Sequence, residues 1–300
     1  MASSSPALAA HVLRYAAFAA SASGGNPAGI VMDATGLDDS TMQRLAAEVG
    51  YAETAFVVAS NVGGDPRRSR VRYFSPQAEV PFCGHATVAT AVVMAERSGP
   101  GQYTFDTAVG EVVLNTEQTN DGILAAFTSV DPKVRELEAA TLQTLLQLLD
   151  LTEADLDDRY PVRVAYAGNW HPILVLRELE TFDRFRFEPS AMRTLMDAQG
   201  WKGTVTVLHA LSPTEFEARN LFPVGAITED PATGSAAASL GGYLRDLGLV
   251  EFGQVESGQS AAPARVIVHQ GRHVNRPSLL TIDIPPVGGI VVSGTAVPIE

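Results

Sequence analysis

The chain has 300 residues, 46% of them hydrophobic, and a formal net charge of −13 at pH 7. The length suits two domains of ordinary size, and the apolar fraction supports a sizeable core with no disordered composition. The acidic balance argues against nucleic acid and anionic membrane as partners, and the single cysteine, Cys83, excludes an intramolecular disulfide, a Cys-rich metal site and a two-thiol mechanism within one chain.

The first twenty residues superficially resemble a secretion signal. They lack a basic start, and Arg14 interrupts the apolar stretch, so a first strand over 12–18 in a soluble cytoplasmic protein is the better expectation. Ser21–Ala28 reads as a Gly/Asn/Pro loop and Gly29–Met32 as a strand. Asp39-Ser40-Thr41 opens a helix that runs to Val49 and stops at Gly50. Glu53–Ala59 is a short strand headed by a carboxylate, Asn61–Arg68 a turn, and Arg70–Phe74 a half-buried strand. A helix of small residues follows from Gly84 to Arg97, ended by Gly99-Pro100. It is apolar all round, which predicts burial inside a curled sheet. Its apolar run, Ala86–Ala95, is too short to span a bilayer. Tyr103–Asp106, Gly110–Thr116 and Ile123–Ser129 read as strands, and Asp131-Pro132 as a link to a second domain.

In the second half, Ala139–Leu149 and Ser190–Ala198 read as helices. Val162–Ala167, Ile173–Leu176, Val205–Ala210 and Glu215–Leu221 read as strands. A second small-residue helix spans Gly234 to Leu247, where Gly241-Gly242 predicts close approach by another element. Arg265–Gln270, Leu279–Ile284 and Gly289–Ser293 complete the strands. Many strands, few helices and no regular βαβ alternation predict an α+β arrangement.

The two small-residue helices are entered by similar sequences. Arg72-Tyr-Phe-Ser-Pro leads to Cys83-Gly84-His85, and Arg219-Asn-Leu-Phe-Pro leads to Asp230-Pro231 and Gly234-Ser235. A period of half the chain reads as domain duplication, with a helix N-terminus from each lobe aimed at a shared cleft. Such N-termini carry free N–H groups and are natural anion sites.

No P-loop, no Gly-x-Ser-x-Gly elbow and no dinucleotide fingerprint is present. His269 and His273 have only weak metal-ligand spacing. Glu53 follows Gly50-Tyr51-Ala52; against an apolar wall its pKa rises toward neutrality, as proton shuttling needs, although a solvated strand-start Glu is the commoner local case. His85 at a helix N-terminus is kept neutral by the dipole, or simply packs there. Asp230 and Thr233 either cap the second helix or face the cleft. Backbone N–H groups of Gly234 and Ser235 are placed to hold a carboxylate. Cys83 sits at a helix start, which would depress its pKa, but a small buried hydrophobe is favoured. Asn26-Pro27 reads as an ordinary turn that is also able to reach a ligand.

Six motifs occur in order: Gly25-Asn26-Pro27-Ala28-Gly29, Ala52-Glu53-Thr54-Ala55-Phe56, Arg72-Tyr73-Phe74-Ser75-Pro76, Val80-Pro81-Phe82-Cys83-Gly84-His85-Ala86-Thr87, Glu229-Asp230-Pro231-Ala232-Thr233-Gly234-Ser235-Ala236, and Gln270-Gly271 with Arg276-Pro277-Ser278. Together they resemble the PhzF family of phenazine biosynthesis-like isomerases, over nearly the whole chain and loosely over 131–211. The resemblance implies the diaminopimelate epimerase-like fold: two similar domains, each a curved, mostly antiparallel sheet around a central helix, with the active site between. The domains would be 1–130, joined by the last strand at about 288–300, and 131–287. It places the acid/base on Glu53 and substrate contacts on Asn26, Gly84, His85, Asp230, Gly234 and Ser235, with no metal or cofactor, and makes a homodimer plausible. Epimerase relatives use two facing cysteines, but here the second motif holds Asp-Pro. The resulting expectation is a cofactor-independent isomerase acting on a small anionic, carboxylate-bearing metabolite. The rivals are a non-catalytic binding protein and a lyase or hydrolase using the same cleft.

Overall fold

A helix with no polar face must be surrounded, and both small-residue helices are. The computed structural model describes residues 11–19, 21, 23–224, 227–253 and 261–299; the signal-like residues 1–10 lie outside the described residues. β1 (Val12–Ala17) pairs antiparallel with β2 (Asn26–Val31). α1 (Asp39–Val49) starts where the Asp38 carboxylate accepts from the Thr41 N–H, and stops at Gly50 with φ 72°. β3 (Glu53–Ser60) runs parallel to β2 and antiparallel to β4 (Arg68–Phe74). The two-residue β5 (Glu79–Val80) leads into α2 (Gly84–Ser98). β6 (Gly101–Thr107), β7 (Gly110–Thr119) and β8 (Gly122–Thr128) form an antiparallel meander.

The second half opens with β9 (Lys133–Glu136), α3 (Ala139–Leu148), β10 (Arg163–Tyr166) and β11 (Trp170–Leu176). α4 (Leu179–Arg184) and α5 (Pro189–Gln199) follow, then β12 (Val205–Ser212), β13 (Glu215–Val224) and β14 (Ile227–Asp230). α6 (Gly234–Asp246), β15 (Ala264–Gln270), β16 (Ser278–Ile284) and β17 (Val291–Pro298) complete the chain. Among the described residues most pairings are antiparallel, as expected, with four parallel ones, such as β11 with β12.

α2 packs on β1, β2, β3, β7, β8 and β17, and α6 on β9, β10, β11, β16 and β17. Residues 85–95 of α2 are all buried, and so is most of α6. Side-chain alternation explains the layering. On β11, Ile173 and Val175 join the core shared with α2 and α6, whereas Leu174 and Leu176 face a second core built with α3, α4 and α5. The Gly241-Gly242 expectation holds. A Cβ on Gly241 would sit 2.7 Å from the Ile290 side chain, and one on Gly242 would sit 2.4 Å from Pro132.

β17 is the chain's fastener. It pairs with β8 along Val291–Thr295, with β16 along Val291–Ser293, and with β1 along Ala296–Pro298. The expected final strand at 289–293 therefore begins two residues later and runs further. β5, β9, β14 and α4 are short and were not foreseen.

Candidate functional site

β2 and β3 are parallel neighbours with Ala28 opposite Glu53, so Asn26 and Glu53 begin at one sheet end. Asn26 is a buried strand residue, not an ordinary turn. Its Nδ2 donates to Asp230 Oδ1 at 2.7 Å and to the Ala232 carbonyl at 3.0 Å, tying the first half of the chain to the second. Thr233 Oγ1 donates to Asp230 Oδ2 at 2.6 Å. Gln270 Nε2 donates to the Asp230 carbonyl at 2.6 Å and to Thr233 Oγ1 at 2.9 Å, and the Thr233 N–H donates to Gln270 Oε1 at 3.2 Å. Asp230 is thus held by both halves, while Thr233, not Asp230, occupies the cap position of α6.

Glu53 belongs to a second cluster. The Cys83 thiol donates to Glu53 Oε2 at 3.4 Å, and His85 Nε2 lies 3.5 Å from the same oxygen. The solvated-glutamate alternative fails, because the Glu53 side chain is only 20% exposed. Burial, reinforced by the negative charge of Asp230, raises its pKa to about 7 against the opposing thiol bond. Burial likewise raises Asp230 to about 6, opposed by the bonds from Thr233 and Asn26. His85 is pushed down to about 4 by burial, against its bond to the Pro27 backbone, and is therefore neutral. Cys83 is the small buried residue that was favoured. The alternative, a thiol pKa depressed by the helix start, fails: burial and the adjacent Glu53 push it well up, so it stays a thiol.

Glu53, Cys83 and His85 bring three ligand-type atoms within 4.8 Å of one another. The Cys83 sulfur, however, is 3.4 Å from His85 Nδ1 and 3.7 Å from Nε2. Near-equal distances set it beside the ring, off either nitrogen's lone-pair axis. One ion does not reach sulfur and nitrogen together unless the ring turns. His269 and His273 bond different carboxylates, Glu215 at 2.7 Å and Asp183 at 3.0 Å, and do not form a ligand pair.

Gly84 and Gly234 open α2 and α6. The tip of the Phe127 ring lies 3.9 Å from where a Gly84 Cβ would stand and 3.0 Å from where a Gly234 Cβ would stand. One ring therefore separates the two helix starts. The first N–H groups of a helix have no carbonyl a turn earlier to bond, so both starts offer donors. Ser235 is held separately from the Asp230 group; its Oγ lies 3.0 Å from His171 Nε2. A cavity of about 360 Å³ opens at the Asn26–Asp230 pair; its lining includes Pro27, Tyr51, Ala52, Pro231 and Arg276 besides those two. Arg276 braces the Asn26 loop by donating to the Gly25 and Gly24 carbonyls at 2.7 and 2.6 Å.

Sequence reasoning missed the roles of Gln270 and His171. Gln270 lay inside a quoted motif without an assigned task. His171 lies in an otherwise apolar strand, and a polar residue on a strand buried on both faces was the available signal.

A sheet wound over two buried helices, whose N-termini meet across one ring, defines the epimerase class of scaffold, the diaminopimelate epimerase-like fold. A probable proline racemase from Agrobacterium radiobacter K84 shares it at TM-score 0.59, covering 95% of this chain and 90% of that one, a likeness of fold alone at 10% identity. The family model for phenazine biosynthesis-like proteins matches residues 15–300, and the chain belongs to that family, the PhzF family of isomerases. The PhzF-family protein of Bacillus anthracis superposes at TM-score 0.80 with 25% identity over 96% of both chains. An uncharacterized isomerase, YddE, of Escherichia coli K12 is 31% identical over 91% of each chain. The trans-2,3-dihydro-3-hydroxyanthranilate isomerase of Pseudomonas fluorescens is 28% identical over 88% of this chain and 86% of its own. No helix among the described residues is long and apolar enough to cross a membrane.

Proposed function

We propose that the chain is a cofactor-independent isomerase that moves a proton within a small carboxylate-bearing metabolite, with Glu53 as its single acid/base. The observation that carries this reading is a buried carboxyl, poised near pH 7 and facing the charge of Asp230, a residue that lines a small cavity. A general base works best when its pKa lies near the operating pH. Ionised Glu53 takes a proton from a substrate carbon, and the C–H electron pair moves into the substrate's conjugated system. The resulting Glu53 carboxylic acid returns the same proton to another carbon on the same face. Asp230 assists through its charge, since repulsion between the two carboxylates is relieved when Glu53 accepts the proton.

The first-turn N–H groups at Gly84–His85 and Gly234–Ser235 would hold the substrate carboxylate. Neutral His85 and the Asn26–Asp230 pair would orient the ring or chain that carries it. Cys83, kept protonated, serves Glu53 as a hydrogen-bond donor and is not a second base. The cavity is at the small end of ligand pockets, which favours a compact substrate. A relative named for trans-2,3-dihydro-3-hydroxyanthranilate makes that compound the first to test.

The test is incubation in deuterium oxide with that compound and a panel of small aromatic and amino-acid carboxylates. NMR reads deuterium at carbon, and mass spectrometry reads the product. Glu53→Gln is expected to keep ligand affinity and to lose turnover by roughly 10²- to 10⁴-fold. Unchanged turnover in that variant would sink the assignment. A product of altered mass would point to lyase or hydrolase chemistry, and binding without exchange to a binding protein.

A further inference from the structure

A buried polar chain runs under the second helix start. His171, on β11, is fully buried, with Nε2 3.0 Å from Ser235 Oγ. Its Nδ1 lies 3.0 Å from both the Thr204 carbonyl and Thr204 Oγ1, and 3.1 Å from the Thr204 amide. The hydroxyls of Thr204 and Thr206 both donate to Asn220 Oδ1, at 2.6 and 2.7 Å. Thr204, Thr206 and Asn220 are each at most 3% exposed. The chain therefore crosses from β13 through β12 to β11 and ends on a half-buried serine in the first turn of α6.

Room for the ring is built in. A Cβ on Gly203 would stand 2.5 Å from His171 Cε1 and 2.8 Å from its Nε2. A fully bonded polar network inside an apolar lobe adds little net stability over well-packed hydrophobic residues, but it fixes one geometry. Its one end at a helix start is Ser235. Among the described residues, the ring's hydrogen-bond partners are Thr204 and Ser235, both neutral. A serine nucleophile activated by His171 would leave an imidazolium with no carboxylate beside it, which this setting does not support.

We infer that His171 is a positioning residue, which locks the Ser235 hydroxyl in the orientation that meets the substrate. This rests on the assignment of Ser235 as a substrate contact. His171→Leu removes the bond to Ser235, whereas His171→Gln keeps a polar atom near the Nε2 position. Crystal structures of the two variants read the Ser235 rotamer directly. Dispersal of that rotamer in His171→Leu and its restoration in His171→Gln are expected; an unmoved rotamer in His171→Leu overturns the inference, whatever the substrate.

Kinetics with trans-2,3-dihydro-3-hydroxyanthranilate separate the two assignments. Ser235→Ala, His171→Leu and the double variant are each expected to raise KM by the same factor, about tenfold for one lost hydrogen bond, with His171→Gln close to wild type. Both His171 variants lose the Thr204 bonds and should melt together, so rescue by Gln alone is not a stability effect. No effect of Ser235→Ala removes the substrate contact itself. An effect of Ser235→Ala without one of His171→Leu removes only the positioning role. Labelling of Ser235 by a fluorophosphonate would show a nucleophile and overturn the inference as well.

Discussion

Glu53→Gln should sharply reduce turnover and yet stabilise the fold, with a pH dependence that follows from burial. The folded carboxyl has a pKa of about 7 against an ordinary value of 4.5. Between those pH values the folded state holds a proton that the unfolded state has released. Stability is therefore present in full below 4.5 and is lost as pH rises toward 7. A separation of about 2.5 units corresponds to about 3 kcal/mol by pH 8, at 1.36 kcal/mol per unit. Glutamine copies the neutral acid and carries no such cost. At pH 8 the variant should be more stable by up to about 3 kcal/mol, which is roughly 5 °C in Tm for a chain of this size. At pH 5 the gain should fall below about 1 kcal/mol. Urea unfolding of both proteins at pH 5, 6.5 and 8 measures the difference, in which groups uncoupled to Glu53 cancel. A gain independent of pH would refute the reasoning, because Glu53 would then not be a buried acid with a raised pKa.

Turnover should rise about tenfold per pH unit on the acid side and level off above about pH 7, as the ionised base is populated; a flat kcat/KM profile from pH 5 to 8 contradicts this. Cys83→Ala should keep turnover within about tenfold and move that limb to higher pH, since the thiol bond lowers the Glu53 pKa; a shift toward lower pH would overturn the assignment of the thiol as donor. Phe127→Ala should cost about 3–5 kcal/mol in urea unfolding, as the ring fills the space between the two helix starts; a cost below about 1 kcal/mol would deny it that place. Asn26→Ala takes donors from Asp230 and the Ala232 carbonyl, and should cost about 1–3 kcal/mol and raise the Asp230 pKa, measured by NMR titration.

Much of the fold was legible because periodicity and punctuation agreed. Asp39-Ser40-Thr41 and Gly50 marked both ends of α1, and the small residues after Gly84 and Gly234 announced helices with no exposed face. Short elements escaped because two to six residues carry no period: β5, β9, β14 and α4 exist through their partners. The site was legible in its residue types but not in its wiring. Nothing local to Asn26 says that it reaches Asp230, 204 positions away. For Cys83 the local sequence offered a depressed pKa beside the favoured buried residue; burial and the Glu53 neighbour, which only the tertiary structure supplies, decide for the latter. Glu53 shows the reverse case: the local sequence favoured a solvated residue, and packing made it an acid near neutrality.

The place of β17 bears on how the chain is made. β1 and β8 each take a hydrogen-bonding edge from Val291–Pro298, the last regular segment among the described residues. About 160 residues separate Thr128 from its partner Val291, and synthesis at roughly 5–20 residues per second delivers them over tens of seconds or less. During that interval a nascent first half carries two open strand edges beside a strongly apolar helix, a template for mispairing with other chains. The first half thus completes its sheet only after the second half has been made.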